Sequence, residues 1–401
     1  MDAPYLQPGT AAFRSVAAAL FAVGLATFAV LYCVQPLMPL FAATFRLSPA
    51  ASSLALSAAT GLLAPMLLVA GSVSDSVGRK ALMVASILGS AGLTLLSALA
   101  PSWGALLLLR AAQGVTLSGL QAVAMAYLGE EVAPAAVGSA MGLFVAGNGL
   151  GGMLGRVFAG LTADIGGWRG ALAGVGLVAL AAGLFVWRAL PPSRHFQPRP
   201  LTLRASLASL AGHLRDPALL RLYVLGVVLM GAFVTVYNYI SFRLLAPPYG
   251  LSQAVVGAIF VVYLVGIASS TWMGRLADRR GRGPVLQAAL ITALAGLALT
   301  AARPLLLVAL GLALFTFGFF GAHAVASGWV SRRARSAKGQ ASALYLFSFY
   351  AGSTLVAPLA GLLWPRFAWP GIAAATAALL VLALLVARTL PAEGARAAPA
   401  A

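Results

Sequence analysis

Gly71-Ser-Val-Ser-Asp75-Ser-Val-Gly78-Arg79-Lys80 returns 203 residues later as Gly274-Arg-Leu-Ala-Asp278-Arg-Arg-Gly281-Arg282. Both glycines, the aspartate and the arginine keep their spacing. Each copy is a charged patch between two apolar runs, so its recurrence half a chain later implies a duplicated membrane unit. Repeats on this scale are a mark of secondary transporters. A carboxylate beside cations at a membrane edge can form a lock that one conformation closes and another opens. A single copy reads equally well as a basic loop with a tight glycine turn, and the constant offset favours the lock.

A second repeat is independent of the first. Gly138-Ser-Ala140-Met-Gly-Leu143 matches Gly339-Gln-Ala341-Ser-Ala-Leu344, and the same offset of 201 relates Gly151 to Gly352, Gly160 to Gly361, Trp168 to Trp369 and Gly170 to Gly371. The two halves therefore read in the same orientation, related by an axis along the membrane normal.

Composition agrees. The 401 residues are 61% hydrophobic and 8% charged, against about a quarter charged in soluble domains. Basic residues number 26 against eight acidic, an excess that cytoplasmic loops of membrane proteins explain better than nucleic-acid binding does. The first apolar run is too long for a signal peptide and reads as a retained span. With Cys33 as the single cysteine, an intrachain disulfide and a multi-cysteine metal site are excluded. No cofactor is expected.

Crossing a bilayer takes about 20 apolar residues, and twelve such windows appear, near 14–40, 50–72, 80–100, 104–128, 137–162, 169–190, 219–244, 253–274, 284–302, 304–328, 339–363 and 369–390. The expectation is an all-α membrane protein of twelve spans in two six-helix repeats, 1–190 and 219–401, joined by a basic linker at 191–218. That region carries Arg194, Arg199, Arg204 and Arg215, with His195 and His213 read as solvated loop residues. If the N-terminus is cytosolic, inward loops and tails hold 19 basic residues and outward loops five, Arg46, Arg169, Arg243, Arg303 and Arg366. This bias places both termini inside.

The two charged copies resemble the signature of the major facilitator superfamily between its second and third helices, and its counterpart between the eighth and ninth. The likeness covers essentially the whole chain. Gly24-Leu-Ala-Thr-Phe28-Ala-Val-Leu-Tyr32-Cys33-Val-Gln35-Pro36 and Lys338-Gly339-Gln340-Ala341-Ser-Ala-Leu-Tyr345-Leu-Phe are similar to the drug:proton antiporter branch, and within it to the YnfM-type bacterial inner-membrane transporters associated with sugar (arabinose) efflux. The resemblance implies the major facilitator fold, with a cavity lined by helices 1, 4, 7 and 10. It also implies alternating access gated by Asp75 and Arg79, with Glu130 and Glu131 as their partners.

Arg110, Gln113, Gly114 and Gln121 share one helical face. Arg110-Ala-Ala-Gln113-Gly114 resembles the family's second motif, whose arginine is associated with proton transfer. An arginine within a span costs about 2.5–3.5 kcal/mol on insertion scales, so it faces a cavity or a partner; the structural alternative is a post bonded to backbone carbonyls. Gly147, Gly151 and Gly155 form a small-residue ridge for close packing, in a stretch resembling the antiporter motif. There Gly152 stands where proline is expected, and Arg156 replaces the last glycine and shares a face with Asn148.

All eight acids, Asp2, Asp75, Glu130, Glu131, Asp164, Asp216, Asp278 and Glu393, fall in loops, tails or span ends. Arg110 and Arg156, with His323 in the tenth span, then make a neutral-to-positive cavity that favours an anionic or polar neutral substrate. His323 is either a proton carrier or a neutral hydrogen-bonded side chain. Tyr32, Gln35, Tyr237 and Asn238 complete the candidate pathway, whereas Tyr345, Phe349 and Tyr350 read as packing aromatics.

These features point to a monomeric secondary transporter of a bacterial inner membrane, in contact with lipid. It exports a small organic molecule, a sugar or an organic anion, by a rocker-switch motion, with protons as the coupling ion. A polyspecific multidrug antiporter is the alternative. An integral-membrane enzyme or a sensor would need catalytic groups or a signalling domain that the sequence does not contain.

Overall fold

The computed structural model describes residues 5–196, 210–334 and 337–391, without the side chains of 71–73, 75–77 and 122. Among the described residues the chain is helical, with one isolated bridge between Leu6 and Val132. The helices are α1 (Ala11–Tyr32), α2 (Met38–Phe45), α3 (Pro49–Val77), α4 (Arg79–Ala98), α5 (Trp103–Glu131), α6 (Pro134–Ala189), α7 (Pro217–Leu245) and α8 (Gln253–Ala258). After a 3-10 turn at Ile259–Val262 come α9 (Tyr263–Arg280), α10 (Arg282–Leu299), α11 (Leu305–Arg333), α12 (Lys338–Gly361) and α13 (Trp364–Arg388). Side-chain oxygens of Thr10, Ser48, Ser102, Asp216 and Ser252 accept the first free backbone N–H groups at their helix starts.

Among the described residues, eleven helices are long and apolar enough to cross a membrane. One of them, α6, has 56 residues and departs from helical geometry at Gly167 (φ 59°). At 1.5 Å per residue it supplies two spans, giving twelve. Ala368 makes the corresponding break in α13 (φ 46°), 201 residues on, and each break precedes a buried tryptophan, Trp168 and Trp369.

Helix pairing repeats as the sequence does. Helix α1 packs on α6 as α7 packs on α12, and α3 and α4 pack on α5 as α9 and α10 pack on α11. Between the halves α3 meets α12 and α6 meets α8. The glycine ridge explains the closest approach. A Cβ on Gly147, Gly151 or Gly155 would lie within 2.5 Å of Phe21 O, Leu25 O or Ala29 Cα respectively, and one on Gly352 would lie 2.1 Å from Val227 O. Gly160 and Gly361 seal the junction between halves, the first against Gly257 and the second against Ala50.

The first apolar window departs from expectation. The run 14–40 is not one helix: α1 ends at Tyr32, residues 33–37 form turns, and α2 resumes at Met38. Pro36 has no N–H to donate and its ring crowds the preceding turn.

Candidate functional site

The break in the first span places Gln35 between the two halves. Its Oε1 accepts Arg156 Nε of α6 at 2.6 Å, and its Nε2 donates to Asn238 Oδ1 of α7 at 2.7 Å. Arg156 also donates to the carbonyl of Gly152. Its guanidinium carbon lies 4.3 Å from the Tyr32 ring centre, 4.7 Å from Tyr263 and 5.1 Å from Phe260, a cation–π cage. Tyr237 packs against Tyr263 and Phe260 and shares a hydrogen bond with Thr316. Five of the expected pathway residues, Tyr32, Gln35, Arg156, Tyr237 and Asn238, are thus one cluster.

The two departures from the antiporter pattern touch. A Cβ at 152 would stand 3.2 Å from Arg156 Nη1, so a residue without a side chain at that position leaves room for the guanidinium.

Arg110 lies elsewhere. It donates to Ala55 O at 2.9 Å, Val30 O at 3.0 Å, Leu31 O at 2.6 Å and Gln113 Oε1. Val30 and Leu31 end α1, where carbonyls lose their intrahelical partners, so Arg110 braces the broken span as a backbone post. Gln113 turns away to Thr94 Oγ1 at 2.7 Å. Gln121 pairs with Asn148 through both amides, at 3.3 and 3.2 Å. His323 Nδ1 lies 3.0 Å from Tyr345 Oη, with Phe319 and Phe349 against its ring. Tyr345, expected to be a packing aromatic, is therefore the polar partner of the histidine.

At the charged repeats, the residues that turn the chain are Gly78 (φ 97°) and Gly281 (φ 85°), left-handed conformations that favour glycine. Gly274 has nothing within 4 Å of a Cβ position, and Gly71's surroundings lie outside the described residues. Arg79 holds Glu130 in a fork, Nε to Oε2 at 3.1 Å and Nη2 to Oε1 at 2.7 Å, with Phe196 over its face. In the other copy Asp278 accepts from Arg282 and Arg332, both at 2.8 Å. The side chain of Asp75 lies outside the described residues, and Lys80 is half-buried. Arg199 and Arg204 of the linker also lie outside the described residues.

Glu131 does not join Glu130. It accepts the backbone N–H groups of Arg194 and His195 and lies 3.3 Å from His195 Nδ1. His195, stacked on Tyr5, and His213, 7% exposed, are not solvated loop residues: one is held by a carboxylate and the other is packed at the bundle edge. Asp216 caps α7 and pairs with Arg333 at 2.9 Å. Burial pushes its carboxyl up, but the Arg333 contact and the N–H groups of Ala218 and Leu219 outweigh that and hold it below the usual range.

Across the halves, hydrogen bonds among described side chains include Gln35–Asn238, Thr60–Thr354 at 2.9 Å, and Asp164 to the N–H groups of Gln253 and Ala254 at 3.1 and 2.9 Å. The last lies on the face opposite the linker. A cavity of about 330 Å³ between α1 and α6, lined by Leu25, Leu154, Phe158 and Val178, is apolar. No cluster of potential metal ligands occurs among the described residues.

Sequence reasoning passed over Tyr263 and Phe260. Both sit in the eighth span, outside the helices expected to line a cavity, and their one signal is a phenol within an otherwise apolar run.

The profile of the Major Facilitator Superfamily matches residues 20–336 and 244–400. The chain belongs to this superfamily. It is 47% identical over 380 residues to the uncharacterized MFS-type transporter YybF of Bacillus subtilis (strain 168), covering 95% of this chain and 94% of that one. It is 46% identical over 382 residues to the inner membrane transport protein YnfM of Escherichia coli (strain K12), covering 95% and 92%. Among solved structures, a bacterial homologue of the human lysosomal transporter Spinster in an inward-facing, unoccupied conformation shares the fold, with a TM-score of 0.80 at 16% identity over 98% of this chain and 100% of that one. The superfamily and these two relatives are transporters, not enzymes.

Proposed function

We propose that this superfamily member is a proton-coupled exporter of small organic molecules, sugars or organic anions, that works as a monomer. The two bundles, 1–190 and 219–401, rock about a central site, and the linker at 191–218 and both termini face the cytosol of a bacterial inner membrane. One observation carries the substrate reading. Arg156, Gln35 and Asn238 join the halves in mid-bundle, and among the described residues no carboxylate pairs with that cation. Such a site is hostile to lipophilic cations and suits anions or polyols.

The contacts on either face support the motion. Asp164 and Gly160 close one face, while Arg79–Glu130 and Asp278–Arg282–Arg332 brace the other within each half. His323, half-buried beside Tyr345, is the candidate for the proton. Uptake by inverted vesicles of sugars, organic anions and dyes, with and without a pH gradient, tests this. Gradient-driven uptake of sugars or anions is expected. Uptake of ethidium in their place would transfer the assignment to multidrug antiport.

A further inference from the structure

We propose that Arg156 recognises a carboxylate, with Asn238 and Tyr263 as supporting donors, so that the cargo is a small organic monocarboxylate rather than a sugar. This rests on the transporter reading above.

The hydrogen-bond account of the cluster is lopsided. Arg156 is 1% exposed, and both acceptors it has found, Gln35 Oε1 and the Gly152 carbonyl, are neutral. Neither contact uses its Nη2. Two buried donors at the same place, Asn238 Nδ2 and Tyr263 Oη, have no hydrogen-bond partner among the described residues. Asn238 is tied to Arg156 through Gln35, and the Tyr263 ring lies 4.7 Å from the guanidinium. The surplus is one whole positive charge and a set of donors, with no matching acceptor.

A carboxylate supplies what is missing, two adjacent oxygens and a negative charge in the geometry that guanidinium binds best. It is also a better acceptor than an amide oxygen, so it competes with Gln35 for the cation and loosens the link from Arg156 to Asn238 between the halves. A sugar hydroxyl can accept from the guanidinium, but it is neutral and leaves the buried charge uncompensated. Tyr32, Phe260 and Tyr263 around the guanidinium offer ring faces to the carbon body. The room for this arginine comes from Gly152, where a side chain would crowd Nη1.

The test uses the purified full-length protein and two matched pairs, benzoate against benzamide and gluconate against glucose, with affinity read by calorimetry. In at least one pair the acid should bind about 30-fold or more tightly than its neutral partner. Arg156→Gln should erase that preference, Arg156→Lys should keep part of it, and Tyr263→Phe, which retains the ring, should weaken the acid several-fold. If Arg156→Gln does not fold, Arg156→Lys and Tyr263→Phe decide, and unchanged acid affinity in both overturns the proposal. Equal binding within both pairs, binding by neither acid, or a preference that survives Arg156→Gln also overturns it. Vesicle transport separates the two levels: glucose moved while neither acid binds leaves the exporter standing without the carboxylate, whereas a protein that moves none of the four under any gradient loses the exporter reading itself.

Discussion

Asp164, at the end of the fifth span, accepts the backbone N–H of Ala254, at the start of the eighth, across the junction of the two halves at 2.9 Å. A second oxygen takes Gln253 N–H, and a few residues back Gly160 lets the backbones meet. Helix-start amides have no intrahelical acceptor, so the first half completes a helix of the second. Separating the halves on this face leaves those amides without the carboxylate. Asp164→Ala should cost about 1 kcal/mol of that closure, a factor of about five in the open population, whereas Asp164→Asn, which keeps one acceptor oxygen and turns the other position into a donor, should fall between the parent and Asp164→Ala. The single cysteine, buried Cys33, reports the opening: in whole cells a membrane-impermeant maleimide should label it faster in Asp164→Ala. Equal rates in all three proteins would remove Asp164 from the seal.

Gly151 and Gly352 hold the paired helices of each half in contact, at Leu25 O and Val227 O. Alanine at either position should lower thermal stability in detergent, an overpacking cost of about 1–3 kcal/mol. Gly138, on the same helix as Gly151 with nothing within 4 Å of a Cβ, is the control and should accept alanine without loss. If Gly138→Ala destabilised as much as Gly151→Ala, close approach at Leu25 would not be the cause, since alanine favours the helix at both positions.

How far the sequence could be read depends on what each feature needs. Spans, the two offsets and the ridge at Gly147, Gly151 and Gly155 are patterns of composition and spacing, visible in one dimension. Which carbonyls Arg110 would meet was not visible, because apart from Gln113 its partners are backbone groups, which every residue carries. Glu130 and Glu131 look interchangeable in sequence, yet adjacent helical positions point about 100° apart, so one meets Arg79 and the other the start of the linker. The cage around Arg156 needed the break at 33–37 to bring Gln35 inward, and needed Tyr263 and Phe260, which read as ordinary packing in an apolar span.

Arg79 and Glu130 tie the start of the third span to the end of the fourth. Position 333, 203 residues after Glu130, is Arg333, so the tenth span ends in cations and Asp278 provides the carboxylate instead. If the pair braces a moving half, Glu130→Gln should reduce vesicle transport at least several-fold with near-normal membrane expression. The swap Arg79→Glu with Glu130→Arg should recover part of it. Asp75→Asn should abolish transport, and a fully active Asp75→Asn would sink the lock reading of the repeated loop.

Asp216 binds α7 to the end of α11 through Arg333 while capping its own helix. Its carboxyl is held below the usual range because the Arg333 and backbone contacts outweigh burial. A folded-state pKa below the unfolded value of about 3.9 means the contribution is full above that value and is lost as pH falls through the folded one. Thermal unfolding in detergent should therefore show Asp216→Leu, which can neither pair nor cap, melting below the parent at pH 7. The gap should narrow once the pH drops below about 4, where the parent carboxyl is losing its charge and its grip on Arg333. A gap of constant size from pH 7 down to pH 3 would mean that the position contributes through packing rather than through its charge.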